Sequence, residues 1–359
     1  MKITFFVSGL SGGGTERVVC NLANYLVRKG HEVDIITIGD DDAYNLEKEV
    51  HRVTLLYNKS KKGSFIDNLH RLIIFLLYIL KNRNRDVYVT MLSFPILFLL
   101  KFRRLIRGKI IASERAYPGA ESTEIQSKLK KNAAKADAWV FQTKENRDWY
   151  AGCIKGVKAI VIPNAINAEF VKPAYTGKRV PLIVTAGRMS VQKNQILLLK
   201  AFQQVSLNHP DIKLVIYGDG PKRQILEDFI IEANLDEKVK CPGFVKEWAD
   251  KSKDAMLFVL TSNYEGIPNA LIEAMALGIP CISTDCLGGG ARLLIENGEN
   301  GSLVPCNDVD KLVKAIGEMV DNPKRAEQMG AKGQQVCERF ASDSIYHQWE
   351  LFIKNVVGV

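Results

Sequence analysis

No Cys-x-x-Cys pair occurs in this 359-residue chain. Its seven cysteines, Cys20, Cys153, Cys241, Cys281, Cys286, Cys306 and Cys337, form an odd and scattered set. That argues against a disulfide framework or a thiolate zinc site and for a reducing compartment. Histidine is scarce too: the five, His31, His51, His70, His209 and His347, all lie outside the glycine-rich and acidic motifs described below. A mechanism needing a histidine general base therefore has little support. The longest apolar runs, Leu72–Leu80 and Met91–Leu100, fall well short of the ~20 residues that span a bilayer. The opening MKITFFVSGL runs into a glycine-rich turn with no cleavage-type site, so it reads as a buried first strand and not as a leader. That turn is not G-x-G-x-x-G and no Lys-Ser/Thr follows it, so neither a dinucleotide fingerprint nor a P-loop is matched. Aromatic residues are not interleaved with the basic ones, and nucleic acid is not an expected partner.

What is present is an ordinary globular composition, 47% hydrophobic and 25% charged, at a length that suggests two domains at ~150 residues each. The net charge of +9 is uneven: 27 Lys and Arg face 17 Asp and Glu through Phe170, and 22 face 23 thereafter. The excess therefore belongs to the partner of the first half. Its densest part, KFRRLIRGK from Lys101 to Lys109, follows one apolar run, and KNRNR follows the other. Apolar stretches beside clustered cations suit an element lying on an anionic membrane surface. Core helices with solvated flanking charges are the alternative.

Short apolar runs alternate with helix-length segments throughout. ITFFV, VDIITI, VYVTML, KIIAS, AWVFQT and AIVIP fill the first half; LIVTAG, KLVIYG, KVKCPGF, MLFVLTS, CISTD and SLVP fill the second. Segments such as ERVVCNLANYLVRKG, apolar near every 3.6 residues and closed by glycine, lie between them. This predicts an α/β protein of parallel sheets covered on both faces, in two doubly wound, Rossmann-like domains facing across a cleft. The Pro-, Gly- and charge-rich stretch from Lys172 to Pro181 marks the break. The expected domains are 1–172, joined by a C-terminal amphipathic helix at 344–359 that crosses back, and 173–343.

Four stretches carry chemistry. Gly12, Gly13 and Gly14 follow the first strand and open a helix, so backbone can approach a ligand there. Gly187 and Arg188 end a strand, and Lys193 and Asn194 open the next helix; two cations and a helix N-terminus at strand ends suit a diphosphate. Gly218 and Gly220 bracket Asp219 at another strand end, and Gly243 closes a fourth. Finally, SNYEGIPNALIEAMALGIP sets Glu265 in a loop and Glu273 in the following helix. The first-turn N–H groups of Asn269, Ala270 and Leu271 would favour a phosphate oxygen, and the carboxylates would accept from paired sugar or ribose hydroxyls. Compensation of the helix dipole accounts for one glutamate at most. It leaves Glu273 unexplained, since an unpaired carboxylate in apolar surroundings is costly.

SNYEGIPNALIEAMALGIPCISTD resembles the E-x7-E signature of the retaining family-four glycosyltransferases, which share the GT-B fold. The resemblance extends in order through SGGGTERVV, VIPNAIN, AGRMSVQKN, YGDGPKR and ENGENGSLVP, covering nearly the whole chain. It implies that Arg188 and Lys193 hold the donor diphosphate and stabilise the leaving group. It further implies that Glu273 accepts from ribose hydroxyls and Glu265 from the transferred sugar. The Gly243–Lys246 loop, with Phe244 and Val245, would hold the base. Gly187, Asn194, Gly218 and the segment Gly266, Ile267, Pro268, Asn269, Ala270, Leu271 would complete the donor site. The Gly12–Gly14 turn would close on the diphosphate. Attack on the face from which the leaving group departs needs no covalent nucleophile, and no metal or cofactor is expected.

Two positions depart from the family pattern. Arg115 follows Ser-Glu where many relatives have histidine, and Leu293 stands where relatives show glutamate. Arg115 cannot act as a base, so Glu114 and Arg115 are assigned to acceptor or donor-phosphate contact, and with Arg17 are placed on the acceptor side. The expectation is a cytoplasmic, peripherally attached transferase using a nucleotide-sugar, a uridine diphosphate sugar in the first instance. Its acceptor would be a lipid-linked saccharide in surface-polysaccharide or glycan assembly. A non-catalytic nucleotide-sugar-binding scaffold and a nucleotide-sugar epimerase are the alternatives.

Overall fold

The computed structural model describes residues 1–10, 13–40, 43–55, 65–173 and 175–359. Gly12 therefore lies outside the described residues. Contacts divide the chain into two units, Met1–Ala165 with Asp343–Val359, and Ile166–Ser342. The division falls just before the Pro- and Gly-rich stretch. The C-terminal helix Ser342–Val357 belongs almost entirely to the first unit.

In the first unit seven strands form one parallel sheet: β1 (Lys2–Val7), β2 (Glu32–Thr37), β3 (His51–Thr54), β4 (Val87–Met91), β5 (Lys109–Glu114), β6 (Ala138–Phe141) and β7 (Lys158–Val161). Their order is β3-β2-β1-β4-β5-β6-β7, so the winding reverses between β1 and β4. Every residue of β4 and β6 is buried, as expected of central strands with helices on both faces. The C-terminal helix sets Trp349, fully buried, and Tyr346, whose ring lies 5.6 Å from that of Tyr25, into the core on β1 and helix Gly14–Arg28. β3 escaped the sequence reading. It is a four-residue edge strand with polar His51, Arg52 and Thr54 and no fully buried residue, so it has no apolar run to announce it.

The second unit holds β8 (Val180–Ala186), β9 (Lys213–Tyr217), β10 (Val239–Gly243), β11 (Ala255–Leu260), β12 (Cys281–Thr284) and β13 (Ser302–Val304). They are all parallel, in the order β10-β9-β8-β11-β12-β13, and the winding reverses between β8 and β11. The apolar strand runs of the sequence fall on these elements. The two long runs of the first half fall largely on helices, Phe65–Lys81 and Ser93–Lys101.

Candidate active site

In an open parallel sheet, loops that leave neighbouring strands for opposite faces part at the point of reversal and leave a crevice beyond the strand C-termini. In the second unit that point lies between the ends of β8 and β11, where the Gly187–Asn194 and Thr261–Pro268 loops begin. Four strand ends are laced side by side there. Gly218 N–H donates to Gly243 O at 2.8 Å, Gly187 N–H to Tyr217 O at 3.0 Å, Met189 N–H to Asp219 O at 2.9 Å and Asn263 N–H to Gln192 O at 2.8 Å. Gly218 marks a close approach between two of these loops. It has φ +122°, and a Cβ added there would lie 2.1 Å from Gly187 O. Only glycine lets the β8 and β9 loops touch.

At the reversal the Lys193 ammonium meets the Glu265 carboxylate at 2.5 Å, with both side chains largely out of solvent. Ser262 Oγ donates to the same carboxylate at 2.7 Å and Gln192 Nε2 at 3.2 Å. Thr261 Oγ1 reaches Lys193 O and Asn194 O, and Asn263 Nδ2 reaches Val191 O, so the two loops form one bonded block. Asn194 adopts a left-handed conformation, φ +48°, as it turns into helix Gln195–Asn208; asparagine tolerates this better than most residues. Arg188 is exposed beside this block, and among the described residues its guanidinium holds no ion pair. A free cation on the same loop as a carboxylate-bound one is an arrangement that an anion can enter.

Glu273 sits inside the helix Asn269–Ala276, 6% exposed. The Trp248 indole N–H donates to its Oε2 at 3.2 Å, which answers the cost of a carboxylate among Leu271, Ile272 and Met275. A carboxylate has further acceptor positions beyond the one an indole fills. The terminus of this helix is less open than expected: Leu271 N–H bonds to Pro268 O at 3.1 Å and so is not a free donor. Gly266, Ile267 and Pro268 are buried, with Gly290 packed directly on Gly266 O. Phe244, by contrast, is 75% exposed on the loop after β10, next to half-buried Val245.

In the first unit, Gly13 caps helix Gly14–Arg28 without a side-chain hydrogen bond. The Glu16 carboxylate lies over Gly13, where an added Cβ would come within 2.2 Å of Oε2. Arg17 is half-buried on the first turn of the same helix. Glu114 and Arg115, at the end of β5, are both buried. Burial pushes the Glu114 carboxyl up to about 7, although the Tyr150 hydroxyl donates to it at 3.1 Å. Burial likewise pushes Arg115 down to about 9, so it stays charged at neutral pH. Its guanidinium bonds to Asn164 Oδ1 and lies 5.9 Å from the Trp349 ring, while Nε and Nη1 have no hydrogen-bond partner.

The expected residues of the second unit thus converge as Gly187, Lys193, Asn194, Gly218, Gly243 and Glu265 on one rim. Gln192, Ser262 and Trp248 were missed by sequence reasoning. Gln192 and Ser262 each adjoin a chosen residue and carry a donor that could have flagged them. Trp248 gave no local signal, because its partner is far along the chain. His31, His51, His209 and His347 have partners away from both places; His31 Nε2, for instance, lies 3.1 Å from the Glu350 carboxylate.

Comparison with known proteins bears directly on this geometry. Residues 12–170 match the family model described as Glycosyltransferase Family 4, and residues 167–336 that described as Glycosyl transferases group 1. An uncharacterized glycosyltransferase of Haemophilus influenzae is 26% identical, over 97% of this chain and 99% of that protein. A Campylobacter jejuni protein named as an α-1,4-N-acetyl-D-galactosaminyltransferase acting on an undecaprenol-diphosphate-linked saccharide is 28% identical, over 99% of each. Among solved structures, sucrose-phosphate synthase from Thermosynechococcus elongatus superposes with a TM-score of 0.86 at 19% identity, covering 100% of both chains. The Anabaena protein HepE in complex with UDP does so at 0.82 and 17%, covering 99% of this chain and 100% of its own. At such identities the likeness establishes the fold, which is GT-B. The protein is a glycosyltransferase. More narrowly, the chain belongs to the family-four glycosyltransferases.

Proposed function

We propose that this enzyme moves a hexose-type sugar from a uridine diphosphate sugar to a lipid-linked saccharide, with retention of anomeric configuration. The observation that carries the reading is the Lys193–Glu265 pair, 2.5 Å apart at the sheet reversal, with Arg188, exposed and without an ion pair among the described residues, on the same loop as Lys193. Arg188 and Lys193 would bind the diphosphate and stabilise the charge that develops on it as the glycosidic bond breaks. Glu265, held by Lys193, Ser262 and Gln192, would accept from hydroxyls of the transferred sugar. In this reading Glu265 orients the sugar and does not relay a proton. Glu273, braced by Trp248, would accept from the ribose, and the exposed Phe244–Val245 segment would lie along the base. The cations would do the work of charge neutralisation without a metal ion. On the acceptor side, Arg115, with Nε and Nη1 unpartnered, and Glu114 would contact the incoming saccharide.

The relatives that carry an undecaprenol-diphosphate acceptor in their names support a lipid-linked acceptor, and the UDP complexes among the structural neighbours support the donor. None of the seven cysteines is in a disulfide, which supports a cytoplasmic setting, at the inner membrane face where such an acceptor would be met. A thermal-shift screen of nucleotide-sugars, followed by product analysis in the presence of chelator, tests the reading. A uridine diphosphate sugar should raise the melting temperature and be consumed, with product forming undiminished in chelator. Stabilisation by another base alone, or activity lost in chelator, would overturn that part of it.

A further inference from the structure

Helix Phe65–Lys81 is apolar on more sides than its packing requires. Its buried face carries Phe75, Tyr78 and Ile79. The Phe75 ring lies 5.7 Å from Phe6 of β1, and 5.0 and 5.4 Å from Phe98 and Phe102 of the neighbouring helix segment. On another face Leu69, Ile73, Leu77 and Leu80 recur at helical spacing and are 47%, 46%, 60% and 50% exposed. The adjoining helix Ser93–Lys101 adds Phe94, 61% exposed, with its ring 6.3 Å from Phe98; the segment after it adds Leu105, 50% exposed. Single exposed apolar side chains are normal on a protein surface, but a stripe of this regularity is not.

The exposed charges carried between residues 65 and 109 all have one sign. Lys81, Arg83, Lys101, Arg104 and Arg107 are exposed, and among the described residues none holds an ion pair. Between residues 65 and 109 the only acids are Asp67, which is buried, and Asp86, whose carboxylate accepts from Lys2 N–H at 2.7 Å. A second copy of the same face would set cations against cations across a two-fold axis. Among the described residues no helix is long and apolar enough to cross a membrane. Apolar side chains on helices that end in unpaired cations match a bilayer surface carrying negative headgroups.

We propose that this face docks the enzyme on an anionic bilayer, with Leu69, Ile73, Leu77, Leu80, Phe94 and Leu105 entering the headgroup–acyl boundary. Lys81, Arg83, Lys101, Arg104 and Arg107 meet the headgroups. The proposal deepens the reading of a membrane-borne acceptor, and it is tested on vesicles holding no acceptor, so that either can fail alone. The full chain is sedimented with phosphatidylglycerol–phosphatidylcholine vesicles and with pure phosphatidylcholine vesicles. Binding is expected to the anionic vesicles only, and to weaken as salt rises. Ile73→Glu with Leu77→Glu should abolish it without changing the melting temperature, since both side chains are already exposed. Arg104→Glu with Arg107→Glu should weaken it at least about tenfold, each lost charge being worth roughly fivefold. Equal binding to neutral vesicles, or either variant binding like wild type, overturns the proposal. So does a dimer in solution that Ile73→Glu with Leu77→Glu splits while wild type ignores the vesicles.

Discussion

Replacing Lys193 by Met separates what the Lys193–Glu265 pair does for the fold from what it does for chemistry. The substitution leaves the Glu265 carboxylate 6% exposed and without its counter-ion. Breaking a buried pair costs about 3–5 kcal/mol. Here the Lys193 side chain keeps 17% exposure, and Ser262 and Gln192 still donate to the carboxylate, so about 2–4 kcal/mol is expected. For a unit of this size that lowers Tm by roughly 5–15 °C. Adding Glu265→Gln removes the stranded charge, and the double variant should regain at least about half of the loss, a coupling that a double-mutant cycle reads directly. Stability returns in the double variant, but sugar transfer should not, because the proposed phosphate cation and hydroxyl acceptor are both gone. Thermal melting and a transfer assay on the four proteins suffice. Additive stabilities, with no coupling above about 0.5 kcal/mol, would refute the geometry. A double variant that still turns over would refute the assigned roles.

Three further outcomes follow from neighbouring features. Trp248→Phe takes the indole donor from buried Glu273 and should cost about 1–3 kcal/mol in stability while raising KM for the donor more than it lowers kcat; an unchanged KM would remove Glu273 from the binding site. Gly218→Ala should destabilise the second unit by at least about 1–3 kcal/mol, measured by denaturant unfolding, because its Cβ would fall 2.1 Å from Gly187 O at φ +122°; a neutral effect would mean that the two loops do not touch. Glu114 has a native pKa raised to about 7 from an ordinary 4.5, so its native state favours the protonated form. The stability this confers is full below about 4.5 and is lost as pH rises through about 7. Glu114→Gln should accordingly gain on wild type by about 1–3 kcal/mol between pH 5 and 8, and a pH-independent difference would contradict the burial argument.

Much of this was legible in the sequence because α/β folds write their plan locally. Buried parallel strands are continuous apolar runs, and the glycine-ended strand LIVTAG announces both β8 and the close approach that follows it. β3 stayed hidden for the opposite reason: an edge strand has solvent on one side and needs no apolar run. Candidate residues could be grouped from the sequence where chemistry and chain neighbourhood coincide, as for Arg188 and Lys193 on one strand-to-helix loop. The site was not legible where a partner comes from elsewhere in the fold. Nothing near Glu273 shows that Trp248 braces it, and nothing in NALIEA shows that Leu271 N–H turns back to Pro268. In the same way LIIFLLYIL says that a helix is apolar, but only packing decides that Phe75, Tyr78 and Ile79 face in while Ile73, Leu77 and Leu80 face out.

The central claim is sugar transfer with retention at the Arg188–Lys193–Glu265 site. The most direct test follows the anomeric proton of the newly formed glycoside by NMR during transfer from an α-linked uridine diphosphate sugar, with Lys193→Ala alongside. The account predicts an α-linked product from wild type and none from the variant. A β-linked product, or wild-type turnover by the variant, would contradict it.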